Sequence, residues 1–202
     1  MAISAPILIY YALIAVATLI GITFHEAAHA FVAKRLGDET ASERGRVTLN
    51  PLKHIDPVGT LLLPALLIAS HAGFVFGYAK PVPVAWKKLR HPKRDMIWVA
   101  AAGPAANIAV ALICLAAAFL AGSGPRWLTQ ALEVGVSTNL ILGLFNLLPI
   151  PPLDGSKMLA GVLPDKFAVP YLKLGRFPLL PIAVVLLGGS LIAVFTRWLH
   201  TH

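Results

Sequence analysis

Charge is scarce in this chain. Of its 202 residues only 13% are Asp, Glu, Lys or Arg, and 57% are hydrophobic. A soluble domain of this size carries about a quarter charged residues, so the shortage excludes an ordinary soluble domain and points to a bilayer. Acidic residues are fewest, 9 against 17 Lys and Arg, leaving a formal charge of +8. The excess is not gathered into a basic face interleaved with aromatics, so nucleic acid is not an expected partner. Cysteine is scarcer still. Cys114 is alone and lies in an apolar run, which rules out an intramolecular disulfide and a thiolate metal site. It reads as a small buried hydrophobe. Internal repeats and low-complexity linkers are absent, and the length suits one domain, 1–202.

Long apolar runs are what is present. Five stretches lack any Asp, Glu, Lys or Arg: Met1–His25, Pro57–Ala79, Met96–Pro125, Val134–Leu153 and Phe177–Thr196. A span needs about 20 apolar residues at about 1.5 Å each. Four of the five read as transmembrane helices, the last over about 177–197. The first lacks the basic flank of a signal peptide and reads as a retained helix. Pro57–Ala79 is interrupted by Pro57, Pro64, Gly59, Gly73 and Gly77. Basic residues crowd the segments on both sides of it, Lys34 to Lys53 and Lys80 to Arg94, and recur between Lys157 and Arg176, whereas 122–133 holds only Arg126. A full crossing at 57–79 would put two strongly basic loops on opposite faces, against the positive-inside tendency. A re-entrant segment keeps them together on the cytoplasmic side, with both termini outside. The expected fold is therefore an all-α polytopic membrane protein with about four transmembrane helices. Segment 57–79 adds a re-entrant piece, with a fifth span as the alternative, and Phe74–Val84 allows a short β-hairpin. Trp86, Trp98, Trp127 and Trp198 fall near run ends, as interfacial anchors do.

The first run closes on His25-Glu26-Ala27-Ala28-His29. Two histidines four apart share one helix face and can reach one ion. A glutamate between them can take a proton from water and pass it to a leaving amine. With the helix starting near Pro6, His25 falls about 28 Å along it, and Gly37 follows as a C-cap. A catalytic zinc needs a third protein ligand from another embedded element. Asn146-Leu-Leu-Pro149-Ile-Pro151-Pro152-Leu-Asp154-Gly155 offers one, because a carboxylate at the edge of an apolar run is costly unless paired or metal-bound. The alternative for Asp154 is an N-cap on a helix beginning near Ser156. Gly103-Pro104-Ala-Ala-Asn107 supplies small residues for close helix approach, and Asn107 needs a partner in lipid.

These motifs resemble the site-2 protease family of intramembrane zinc metalloproteases. Thr48–Thr60 and Ala79-Lys-Pro-Val-Pro-Val84 are similar to its short bacterial branch, without PDZ or CBS domains. The resemblance covers roughly residues 5–165. It implies zinc bound by His25, His29 and Asp154, water activated by Glu26, and Asn146 and Asn107 lining a substrate groove. It also implies a cell (inner) membrane location with the site toward the cytoplasm, and transmembrane segments of other proteins as substrates. Two further readings use the same ligands: a divalent metal transporter, and a membrane protein that binds clients without cutting them. A transporter needs polar residues along its whole pathway, and the spans after Asn107 are nearly bare. Glu26 separates the other two, since binding needs no base.

Overall fold

A computed structural model describes residues 5–70, 77–122 and 124–185. Among these the chain is helical, without strands. Three helices are long and apolar enough to cross a membrane: α1 (Ala5–Arg35), α4 (Pro92–Ala121) and α5 (Arg126–Asn146). Between α1 and α4 lie a single turn, α2 (Thr40–Glu43), and a π-wound stretch, Pro57–Leu62, that continues as α3 (Leu63–Ala69). Two short helices, α6 (Asp154–Val162) and α7 (Asp165–Lys173), follow α5. The expected fourth span, about 177–197, falls largely outside the described residues, as do 71–76 of the segment expected to re-enter. The described part of the expected hairpin, 77–84, forms neither strand nor helix.

The outer faces of these helices are apolar, with Phe119 and Leu120 on α4 87% and 83% exposed. Lipid is no less apolar than Leu, so hydrophobicity does not select the inner face; close approach and polar contacts do. On each long helix a set of buried residues recurs at every fourth position. They are Ala17, Gly21, His25, His29 and Ala33 on α1, then Val99, Gly103, Asn107 and Ala111 on α4, and Gly135, Asn139 and Gly143 on α5. Such residues line one stripe of a helix. α4 lies at the centre, packed on α1, α5 and α6, and α1 also touches α5.

α1 ends as its glycine predicts. Gly37 has φ 106°, its N–H donates to Lys34 O, and Asp38 N–H donates to Ala33 O, the two bonds of a Schellman cap. Beyond it the basic side is held by two small cores, Ala33, Leu89 and Val99 in one and Met96, Ala160 and Ala168 in the other, with Trp86 packed against both. Trp86 is half-buried in this packing, whereas Trp98 and Trp127 face outward. Segment 77–85 is tied back to earlier chain. Tyr78 N–H donates to Gly59 O, Lys80 N–H to His54 O, and Arg46 Nη2 to Lys80 O.

Asp38 fixes the end of that segment. It is fully buried and accepts from Thr40 N–H at 3.0 Å and from Ala85 N–H at 2.6 Å. Burial alone would raise its pKa, but donation from Thr40 and Ala85, with Lys88 nearby, holds the carboxyl below its usual range. A group depressed on folding stabilises above its unfolded pKa, and that stability is lost as pH falls through the folded value. Asp38→Asn is therefore expected to lower stability at neutral pH by about 1.5–3 kcal/mol, the worth of hydrogen bonds to a charged group. It should also remove this residue's share of acid lability below about pH 4. Thermal unfolding in detergent at pH 7 and pH 3.5 reads both effects, and equal losses at the two pH values would contradict the ionic role.

Candidate metal centre

His25 and His29 occupy adjacent turns on the buried stripe of α1. Their rings meet edge to face, centroids 4.6 Å apart. The turn after α5 runs from Leu147 to Leu153 and is anchored by the Tyr171 hydroxyl, which donates to Pro149 O. It delivers Asp154 as the first residue of α6. Gly155 follows where a Cβ would collide with the Leu147 carbonyl, so the close turn needs glycine there. Asp154 does not cap the helix. One oxygen, Oδ2, lies 3.0 Å from His25 Nε2 and 3.1 Å from His29 Nε2, and the two Nε2 atoms are 3.0 Å apart. The other, Oδ1, accepts from Lys157 Nζ at 2.8 Å. All three residues are buried.

The opposite ring nitrogens show what this cluster requires. His29 Nδ1 faces the Val99 carbonyl at 2.6 Å, and His25 Nδ1 faces Asn107 Oδ1 at 2.6 Å. Both partners accept, so both Nδ1 atoms carry the hydrogen. In the neutral rings each Nε2 then presents a lone pair to the other and to a carboxylate oxygen. Three acceptors converging in a dry interior are unfavourable without a cation among them. Bonds of about 2.0–2.1 Å in a tetrahedral site put ligand atoms about 3.3 Å apart, within a few tenths of an ångström of what is found. Two imidazoles and a carboxylate suit zinc and leave a fourth position open.

Gly103 on α4 makes the space. A Cβ there would lie 2.6 Å from His25 Nε2 and closer still to His29 Nε2. Glu26, half-buried, accepts from Val82 N–H at 2.7 Å through Oε2. Val82 lies between Pro81 and Pro83, so it carries the only N–H of that tripeptide. Among the described residues Oε1 of Glu26 has no hydrogen-bond partner.

The structure brings His25, His29 and Asp154 together with Glu26 beside them. Both asparagines expected at a groove have hydrogen-bond partners within the fold. Asn107 is fully buried and engaged on every side, bonding His25, Gly21 O and Asn139. Asn146 is half-buried at the end of α5 and donates to Leu142 O. Sequence reasoning missed Asn139, Lys157 and the backbone groups of Val99 and Val82. Asn139, a polar residue inside an apolar run, was visible in principle; backbone groups carry no such signal. On another face of α1, a groove of about 390 Å³ runs between that helix, Val47–Leu49 and Ala106 of α4, with Phe24, Ala27, Ala28 and Phe31 as its α1 wall.

Residues 125–174 match the description Peptidase family M50. The chain is 39% identical over 159 residues to "Putative zinc metalloprotease YwhC" of Bacillus subtilis, covering 72% of this chain and 67% of that one. It is 39% identical over 139 residues to "Putative zinc metalloprotease Rip2" of Mycolicibacterium smegmatis, covering 68% and 52%. With "Putative zinc metalloprotease MJ0611" of Methanocaldococcus jannaschii it shares 33% over 144 residues, 69% and 64%. The chain thus spans about two thirds of the first relative's length and about half of the second's. No solved structure matches it.

Proposed function

Since this chain belongs to the site-2 protease family of zinc metallopeptidases, peptidase family M50, we propose that it hydrolyses peptide bonds inside transmembrane segments of other proteins. One observation carries the reading: the ligand pair lies within a helix fit to cross a membrane. His25 is about 30 Å from Ala5 along α1 and about 13 Å short of Lys34. A hydrocarbon core is about 30 Å thick, so water and substrate backbone must both be brought below the surface.

His25, His29 and Asp154 would hold zinc, which supplies Lewis acidity at the scissile carbonyl. Lys157 on Oδ1 leaves Oδ2 of Asp154 for the ion and offsets part of its charge. Val82 N–H holds one oxygen of Glu26, so the other is oriented for proton transfer. As the C–N bond breaks, the proton that Glu26 takes from water passes to the departing nitrogen. Asn146, at the end of α5 nearest Asp154, is assigned to the extended substrate backbone.

The basic end of α1, Lys34 and Arg35, supports a cytoplasmic-side site in the cell membrane. A re-entrant course for 57–79 is supported by two features. Pro57–Ala69 is only about 20 Å long, and Tyr78 and Lys80 bond back to Gly59 and His54.

The test is cleavage of single-span reporters in proteoliposomes. Cutting within the span, stopped by a chelator and restored by zinc, is the expected outcome. Cutting confined to soluble flanks, or unaffected by chelation, would sink the proposal.

A further inference from the structure

Asn139 has no place in the scheme above, yet it is 1% exposed in the middle of a membrane helix. Such a residue is expensive in lipid unless bonded, and its bonds lead to the metal centre. Its Nδ2 donates to Gly135 O at 2.9 Å, and its Oδ1 accepts from Asn107 Nδ2 at 3.0 Å. Asn107 Nδ2 also donates to Gly21 O at 3.1 Å, and Asn107 Oδ1 accepts from His25 Nδ1.

The chain of bonds has a direction. A side-chain amide can be turned over, and only its partners decide which end is oxygen. Gly135 O and Gly21 O are backbone carbonyls and accept only. Gly135 O therefore sets the Asn139 amide with nitrogen toward α5's own backbone and oxygen toward Asn107. Gly21 O and Asn139 Oδ1 together set the Asn107 amide with nitrogen toward themselves and oxygen toward His25. An oxygen there requires hydrogen on Nδ1, which leaves the Nε2 lone pair for the ion. A turned Asn107 amide would offer N–H to Nδ1, drive the hydrogen onto Nε2 and block the ligand.

We propose that Asn139 is a positioning residue that locks the Asn107 amide and thereby fixes the metal-binding tautomer of His25. The inference rests on the assignment of His25 as a zinc ligand. Gly21 belongs to the same device: a Cβ there would lie 2.7 Å from Asn139 Oδ1 and 3.2 Å from Asn107 Nδ2.

The test is the zinc dissociation constant, measured by chelator competition in detergent, with thermal unfolding of the zinc-free proteins as the check on folding. Loss of an outer partner costs about 10- to 100-fold in affinity. Asn139→Leu is expected near the lower bound, about 10-fold, because Gly21 O still holds one N–H of Asn107. The decisive arm repeats the substitution on Asn107→Asp. A carboxylate presents oxygen to His25 whichever way it turns, so Asn139→Leu should then cost nothing or improve binding. An equal cost on both backgrounds would mean that Asn139 acts only by packing and would overturn the proposal. Asn139→Asp is the second variant. As a neutral acid it donates to Gly135 O and accepts from Asn107, so it should bind zinc as tightly as the unmodified chain; weak binding would also overturn the proposal. If the unmodified chain itself held no stoichiometric zinc, the ligand assignment would fail instead.

Discussion

Replacing Glu26 with glutamine is expected to abolish peptide hydrolysis while leaving one zinc per chain. Glutamine fills the same volume, and its carbonyl still accepts from Val82 N–H, so the hydrogen bond at 2.7 Å and the local packing survive. What disappears is the ability to take up a proton. General acid–base catalysis contributes about 10²- to 10⁴-fold, and here one carboxylate serves both water and leaving nitrogen, so the upper part of that range is expected. The atoms placed to hold zinc belong to His25, His29 and Asp154, so zinc content by elemental analysis should match the unmodified protein. Zinc loss would mean that Glu26 supports the centre structurally. Unchanged cleavage would move the base elsewhere. Were even the unmodified chain to hold zinc without cutting any span, client binding would become the better account.

Gly103→Ala is expected to remove zinc without touching a ligand. The new methyl would stand 2.6 Å from His25 Nε2, a distance real Cβ contacts do not tolerate, in the space the two imidazoles leave for the ion. Backbone propensity works in the other direction: alanine is about 0.8–1.0 kcal/mol better than glycine within a helix, so α4 itself is not weakened. The predicted signature is therefore a folded helical protein whose zinc affinity falls by more than about 100-fold, beyond the cost of an outer partner alone. Loss of cleavage follows. Elemental analysis beside circular dichroism separates this from misfolding. Full zinc occupancy would show that α1 and α4 can move apart to admit the methyl, and that Gly103 serves packing only.

The cluster of His25, His29 and Asp154 was legible in the sequence because its chemistry is local: two histidines four apart and an aspartate closing a proline-broken run need no knowledge of tertiary contacts. The long helices were legible from their length without charge. The inner faces were not. In a soluble helix the apolar stripe marks the core, but α1 and α4 are apolar all round, and their buried stripes hold glycine, alanine, histidine and asparagine. Asn107 shows the consequence. A lone asparagine in lipid calls for a partner, substrate backbone or a neighbouring helix, and the sequence does not choose between them; the fold supplies His25, Gly21 and Asn139. The hold of Val82 on Glu26 was illegible for another reason. It is a backbone bond across 56 residues, and any side chain but proline at that position would carry the same donor.

The ligands are unevenly placed along the chain: Asp154 comes 129 residues after His25 and 125 after His29. Ribosomes add about 5–20 residues per second, so α1 exists for about 6–25 s before its carboxylate partner is made. During that interval the two imidazoles are an incomplete chelate, and Asn107 and Asn139 arrive only with α4 and α5. A chain not yet extended to Asp154 lacks the third of these groups and is thus expected to be catalytically silent. Hydrolytic competence is gained only once the chain has been extended through Asp154.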